Sequence, residues 1–337
     1  MSDIARLQRV LLGLVLLLTA LDAAWWLLAG FHLDAPAYSR LAALSLGLLG
    51  AGLYYQERRG EPQIAAMLLG TAFLIQFSAA ASVLNYMLIP VAGPQIDGLL
   101  VAADAALGFD WYRVMLAMAD RPLLNLAFFN VYNLVLPEIA LVLVALAWSG
   151  RAEQAYRFCL TLAAGALIAI FFWASFPSLG AKSLYSFAPD IAARLTLTVT
   201  TQYGQELVAL LKNGPGFISP ADMRGLIAFP SYHGVLALIV TWYGWNLRGL
   251  RWPLVALNAV ILVSTPVQGG HHMVDVLAAF PVTALALVLA GEWNRVRNRA
   301  QMPGLVNRMR NLTIQLRKNG LFRAMPAQQA RESRAAD

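Results

Sequence analysis

Long apolar stretches separated by short polar loops run along most of this 337-residue chain. A membrane-spanning helix needs about 20 mostly apolar residues, because the hydrocarbon core of a bilayer is about 30 Å thick. Eight stretches approach that length, at residues 10–29, 37–55, 64–91, 123–148, 156–176, 229–247, 253–267 and 271–292. The pattern therefore predicts an all-α integral membrane protein with about eight transmembrane helices.

Two longer segments between the predicted spans are less apolar. Residues 93–121 are predicted to lie along the outer membrane surface, and residues 177–225 contain a candidate amphipathic helix at 189–212. Beyond residue 292, apolar positions recur at helical spacing among arginines, which fits either an inner-leaflet interfacial helix or a disordered basic tail. We divide the chain into N-terminal transmembrane helices at 1–92, a membrane core at 93–292 and a basic cytoplasmic tail at 293–337.

The composition indicates that lipid is the main solvent of this chain. Hydrophobic residues make up 59% of it and charged residues 13%, whereas soluble domains carry about 25% charged residues. Cys159 is the only cysteine, which excludes an internal disulfide and a thiolate metal cluster. The net charge of +7 resides in short loops and the tail. That distribution is typical of topology control and anionic lipid headgroups rather than of nucleic-acid binding.

The positions of lysine and arginine predict the orientation. With an inner N-terminus and eight spans, 18 of the 25 basic residues fall on the inner side, as the positive-inside rule requires. The short loops Glu57-Arg58-Arg59 and Arg248-Gly249-Leu250-Arg251 agree with this assignment. The segments that begin the sixth and the eighth span then face the outside.

Two histidines open the eighth span, in Gly269-Gly270-His271-His272-Met273-Val274-Asp275. Residues four apart share a helix face, so Asp275 should lie one turn from His271 and accept a hydrogen bond from one imidazole nitrogen. The other nitrogen is then free to act as a nucleophile. Gly270 lets the backbone come close to a bulky anion, and the helix start should point free N–H groups at the same spot.

A second histidine cluster opens the sixth span, in Phe229-Pro230-Ser231-Tyr232-His233-Gly234. Pro230 is well placed at a helix start, and Ser231 offers a hydroxyl group and, with its neighbours, backbone N–H groups to an anion. His233 in the first turn is a candidate to protonate a leaving group. Both clusters lie on the same predicted side of the membrane, which favours one shared site.

Other interpretations of the histidines stay open. His32 is expected to be an interfacial polar residue, and His272 to be a spacer or a residue that supports His271. Two or three histidines and one aspartate could also bind zinc, although the chain has no metalloprotease signature. We predict no metal and no cofactor.

The two clusters resemble motifs of the type 2 phosphatidic acid phosphatase superfamily, and within it the branch of inositol phosphorylceramide synthases. Pro230-Ser231-Tyr232-His233 is similar to the family's Pro-Ser-x-His motif, and Gly270-His271 with Asp275 is similar to its Gly-His-x-x-x-Asp element. Weaker similarities to the branch lie at Leu107-Gly108-Phe109-Asp110-Trp111, Tyr132-Asn133, Leu136-Pro137 and Leu211-Lys212-Asn213-Gly214. The resemblance covers residues 107–290.

The resemblance implies a six-helix catalytic core and metal-independent chemistry through a phosphohistidine. In the family's pattern His271 attacks phosphorus, Asp275 orients it and His233 protonates the leaving oxygen. A second step passes the phosphoryl group to water or to an acceptor hydroxyl.

This chain departs from the superfamily's pattern in its basic residues. The early Lys-x6-Arg-Pro motif is absent, as is the arginine that usually precedes the nucleophilic histidine. Lys212 and Arg224 are candidates to replace that charge, with Ser231 and Gly270 completing the phosphate-binding set. Fewer fixed positive charges favour a diester or diphosphate lipid and hence transfer chemistry.

The sequence thus predicts a membrane phosphatase or phosphotransferase that acts on a lipid phosphate, a phospholipid headgroup or a polyprenyl diphosphate, with an alcohol acceptor in the case of transfer. Its site is predicted to face the periplasm or exterior, and the compact size and the branch resembled suggest a bacterial inner membrane. Two other functions stay open, namely a transporter or flippase with a histidine proton relay, and an inactive scaffold. The oligomeric state is left open, and no nucleic-acid partner is expected.

Overall fold

The structure, a computed structural model, describes residues 3–30, 32–223 and 225–292. Its α-helices are α1 (Asp3–Ala29), α2 (Ala35–Tyr54), α3 (Pro62–Met87), α4 (Asp97–Ala106), α5 (Trp111–Ala119), α6 (Pro122–Tyr132), α7 (Val135–Trp148), α8 (Ala152–Ser175), α9 (Pro189–Ala192), α10 (Thr201–Asn213), α11 (Tyr232–Gly244), α12 (Arg251–Gln268) and α13 (Met273–Leu289). Two short strands, β1 (His32–Leu33) and β2 (Phe217–Ile218), pair in parallel. The predicted all-α fold class is confirmed. The predicted tail at 293–337 lies outside the described residues.

Three of the described helices, α1, α3 and α8, are long and apolar enough to cross a membrane. Helices α5 and α6 make a fourth candidate if they count as one span, although they are bent by 112°. Helices α7 and α13 are shorter and apolar. Each of the eight predicted spans coincides with a helix or a helix pair, but the count of eight is not confirmed.

Small residues bring the helices of the core into close contact. A Cβ atom at Gly234 of α11 would lie 2.8 Å from the Cβ atom of Ala279 on α13, and one at Gly165 of α8 would lie 2.9 Å from a methyl group of Val235. Helices in lipid associate through such close backbone approaches, since lipid supplies no hydrophobic driving force between them. The result is that α11 and α13 start side by side.

The two segments predicted to lie outside contain helices, but one of them differs from the prediction. Residues 93–121 form α4 and α5, whereas the single helix predicted at 189–212 is wrong, because it divides into α9 and α10. Between them the chain follows other partners: Thr196 N donates to Asn125 Oδ1 at 2.7 Å, and Val199 N donates to the Gln268 carbonyl at 3.0 Å. The intervening threonines and valine are poor helix formers, so these bonds prevail over helix continuation.

Candidate active site

His271 lies in the turn between α12 and α13, where two glycines allow a tight approach. A Cβ atom at Gly269 would collide with the His271 ring and lie 2.8 Å from the Tyr132 hydroxyl. Gly270 has φ +63°, a conformation that side chains rarely adopt. The turn presses His271 into the protein, where only 4% of the residue is exposed.

Asp275 contacts His271 as predicted, although His271 lies in the turn before α13 rather than on the same helix. His271 Nδ1 lies 3.2 Å from Asp275 Oδ2. Because the carboxylate accepts the hydrogen bond, Nδ1 carries the proton and Nε2 presents its lone pair. The same Asp275 oxygen accepts from His272 N at 2.9 Å, which holds the carboxylate in place.

Ser231 joins the second motif to the first. It is the N-cap of α11, where its hydroxyl oxygen accepts from Gly234 N at 3.3 Å and lies 3.4 Å from His271 Nε2. Its backbone N–H donates to the Asp275 carbonyl at 3.0 Å. The two helix starts are therefore bonded to each other directly, and the positive end of α11 faces the imidazole of His271.

His233 reaches the same region through Tyr132 of α6. The two rings stack with centroids 4.3 Å apart and an angle of 14° between their planes. A Cβ atom at Gly269 would lie 2.8 Å from the Tyr132 hydroxyl and 3.0 Å from His271 Nε2. The Tyr132 hydroxyl and His271 Nε2 therefore border the same small volume beside Gly269. Both motif histidines thus lie beside Tyr132, which is 2% exposed.

Lys182 is the basic residue that the structure places at this site. It lies in a short 3₁₀ turn, Ala181–Ser183, and is 4% exposed. Its Nζ donates to the Gly269 carbonyl at 3.3 Å, and its backbone N–H donates to the Gly270 carbonyl at 3.3 Å. Burial lowers the pKa of Lys182 to about 8, although the nearby carboxylates of Asp275 and Asp97 oppose that shift.

Sequence reasoning missed Lys182 as a site residue and grouped it with the other outer basic residues. A signal was present, because this lysine stands in the largely apolar stretch 176–189 without an acidic neighbour. Of the two predicted substitutes, Lys212 lies exposed in the last turn of α10 and lines a separate cavity of about 700 Å³ together with His32. Arg224 lies outside the described residues. Phosphate binding by Lys212 or Arg224 stays a prediction.

The start of α13 differs from the expectation of free N–H groups, which is wrong. Met273 N and Val274 N donate to Asp104 at 3.1 and 3.0 Å, while His272 N donates to Asp275. Carboxylates of the protein therefore occupy the positive end of this helix, where such groups are stabilised. The same Asp104 also lies 3.0 Å from His272 Nδ1, so His272 has a carboxylate partner of its own.

The zinc alternative finds no ligand set in the part of the chain that the structure describes. There, no group of three or more His, Cys, Asp or Glu side chains is arranged to hold a metal ion. His271 and His272 instead each have Nδ1 directed at an aspartate, in the two pairs His271–Asp275 and His272–Asp104.

One comparison with known proteins found a match to this chain. A family model described as the PAP2 superfamily matches residues 98–289, more than half of the chain, and the match includes His233, His271 and Asp275. No curated protein and no solved structure matches the chain. The match does not reach the finer resemblance to inositol phosphorylceramide synthases, which stays an interpretation. The chain belongs to the PAP2 superfamily, whose members are phosphatases or phosphoesterases.

Proposed function

We propose that this protein is a membrane-embedded phosphatase or phosphotransferase of lipid substrates that works through a phosphohistidine at His271. The observation that carries the proposal is the pairing of His271 Nδ1 with Asp275 at 3.2 Å. That pairing directs the lone pair of Nε2 into the volume bordered by Ser231 and Tyr132. A buried imidazole held in this way by a carboxylate is equipped to attack phosphorus.

The first step forms the bond between His271 Nε2 and phosphorus and breaks the bond from phosphorus to the leaving oxygen. His233 donates a proton to that oxygen, and Asp275 stabilises the positive charge that develops on His271. In the second step, water or an acceptor hydroxyl gives its proton to His233 and attacks phosphorus. The phosphorus–nitrogen bond breaks, and its electron pair returns to Nε2.

In this scheme three groups beside His271 hold the phosphoryl oxygens. Ser231 offers its hydroxyl, α11 offers the positive end of its dipole, and Lys182 offers an ammonium group in place of the family's missing arginine. A lysine is a point charge without the two-pronged grip of a guanidinium. We therefore infer that a phosphodiester or diphosphate suits this site better than a dianionic monoester.

An apolar cavity along α8, which reaches toward the site only at Phe172, supports a lipid substrate. It has a volume of about 580 Å³ and is lined by residues of α1, α8 and α13, among them Leu14, Phe172 and Leu289. The Phe172 ring lies 5.3 Å from the ring of Phe229, which stands two residues before Ser231. A cavity of this chemistry, beside helices long enough to span a membrane, suits the hydrocarbon chain of a lipid.

Activity of the purified protein tests the proposal. Phosphate release and headgroup transfer would be measured on a panel of lipid phosphates, phospholipids and polyprenyl diphosphates, with and without polyol or ceramide acceptors. His271→Ala should abolish turnover and the acid-labile phosphoenzyme, vanadate should inhibit the native protein, and the exposed His32→Ala should behave as native. Normal turnover by His271→Ala would end the proposal. Lipid flux across liposomes without phosphate release would favour a transporter.

We also propose that the site faces the outside of a bacterial inner membrane. The native Cys159 is buried and should stay silent toward thiol reagents. Arg113→Cys, at a side chain that is 85% exposed on the predicted outer side, should react with an impermeant maleimide in intact cells. Arg58→Cys, on the predicted inner side, should react only after lysis. The opposite labelling pattern would reverse the orientation.

A further inference from the structure

Helix α4 carries two buried carboxylates that neither histidine motif contains. Its buried residues are Asp97, Leu100 and Asp104, and their spacing of three and four places them on one face. Asp97 is 7% exposed and Asp104 is 4% exposed. Burying a carboxylate is costly unless donors compensate it, so the donors on each are informative.

Asp97 holds the loop that carries Lys182. Its Oδ1 accepts from Leu179 N at 2.9 Å and from Gly180 N at 3.2 Å. Gly180 has φ +78°, and a Cβ atom there would lie 2.8 Å from the Gly270 carbonyl oxygen. The loop is therefore pressed against the turn before His271, with Lys182 two residues further on.

Asp104 holds the start of the helix that follows His271. It accepts from Met273 N, from Val274 N and from His272 Nδ1, all within 3.1 Å. With three donors it fixes both the backbone of the first turn and the imidazole of His272. The nucleophile stands one residue before this clamped segment.

We propose that α4 is a positioning element whose two carboxylates set the place of Lys182 relative to His271. Seven residues of helix span about 10 Å, so the two anchor points keep a fixed separation. This inference rests on the proposed function, in which Lys182 binds the phosphoryl group and His271 attacks it. In this role both aspartates act through the backbone that they hold, Asp97 through the two loop N–H groups on its Oδ1 and Asp104 through the donors of α13 on both of its oxygens.

The two ends of α4 should affect catalysis differently. Asp97→Ala releases the lysine loop, so KM and the inhibition constant of vanadate should rise about tenfold, the cost of one charge-assisted contact, while kcat stays within twofold. Asp97→Asn keeps an oxygen for both N–H groups and should restore native values.

Asp104→Asn places an amide N–H group against a backbone N–H donor of α13. It should lower kcat about 100-fold with KM little changed, because small misplacement of a nucleophile is costly.

A double-mutant cycle decides between positioning and mere stabilisation. If Asp97 acts through Lys182, adding Asp97→Ala to Lys182→Ala should raise KM no further. Asp110→Asn, at an exposed N-cap where asparagine serves equally well, is the matched control and should behave as native. Two results would overturn the inference and leave the proposed function intact. One is that the effects of Asp97→Ala and Lys182→Ala on KM add in the double variant. The other is that kcat falls as much as KM rises, in proportion to a loss of thermal stability.

Should Asp104→Asn fail to assemble, the cycle at Asp97 alone decides the question. If His271→Ala kept native turnover, the proposed function would fall instead, and the two failures are therefore distinguishable.

Discussion

Two helices begin at this site, and their starts are used in opposite ways. At α11, Ser231 caps the helix with its own hydroxyl and still lies 3.4 Å from His271 Nε2. At α13, Asp104 and Asp275 take the N–H groups of the first turn. The start of α11 therefore faces the volume beside His271 Nε2 and is open, whereas the start of α13 is closed by carboxylates and holds His271, the proposed nucleophile. A glycine-rich turn before a helix is thus not by itself an anion site.

The largest expected loss of activity follows a substitution at the closed start of α13. Asp275→Asn should lower kcat about 10⁴-fold, because an amide in place of the carboxylate favours the wrong imidazole tautomer. Single-turnover measurement of phosphoenzyme formation checks this, and unchanged thermal stability would separate it from unfolding. A loss smaller than tenfold would mean that His271 is oriented by another group.

A smaller loss of activity is expected at Lys182, which is proposed to bind the phosphoryl group together with the open start of α11. Lys182→Ala should lower kcat/KM by about 10- to 100-fold, since it removes a charge-assisted contact to the phosphoryl oxygens. Lys212→Ala is the comparison variant, because that lysine is exposed, lines a different cavity and is the rival candidate for phosphate binding. Equal losses in the two variants would contradict the assignment of Lys182.

The hydroxyl group of Ser231, at the open start of α11, should contribute to kcat/KM about as much as one weak hydrogen bond. Ser231→Ala removes the hydroxyl beside His271 and should lower kcat/KM about tenfold. Ser231→Asn, which preserves a good N-cap, distinguishes loss of the hydroxyl from loss of the cap. If asparagine restored full activity, the hydroxyl would have only a structural role.

The smallest effect is a pH dependence. Because the pKa of Lys182 is lowered to about 8, the ammonium is present below that pH and is lost above it. The quantity kcat/KM should therefore fall as the pH rises through about 8, and a bound phosphoryl group should move the fall in kcat to higher pH. The pH profile of Lys182→Ala should lack this limb. Its persistence in that variant would assign the limb to another group.

Local patterns in the sequence predicted much of this arrangement. The apolar stretches predicted where helices form, because a helix in lipid must satisfy its own backbone and therefore needs a continuous apolar run. The spacing of His271 and Asp275 predicted their contact, although the two do not share a helix: His271 lies in the turn before α13, and Asp275 contacts it from the first turn of that helix. The prediction failed where long-range partners competed, as in residues 193–200, which bond to Asn125 and Gln268 instead of continuing a helix.

The sequence by itself determined the apolar, helical character of the chain and the pairing of His271 with Asp275, because each depends on composition or on residues close together in the chain. Only the tertiary structure decided that Lys182 lies beside the turn at Gly269, 87 residues away, and that Asp104 closes α13 across 168 residues. Such contacts depend on how the helices pack, and packing is a property of the whole chain that no local spacing encodes.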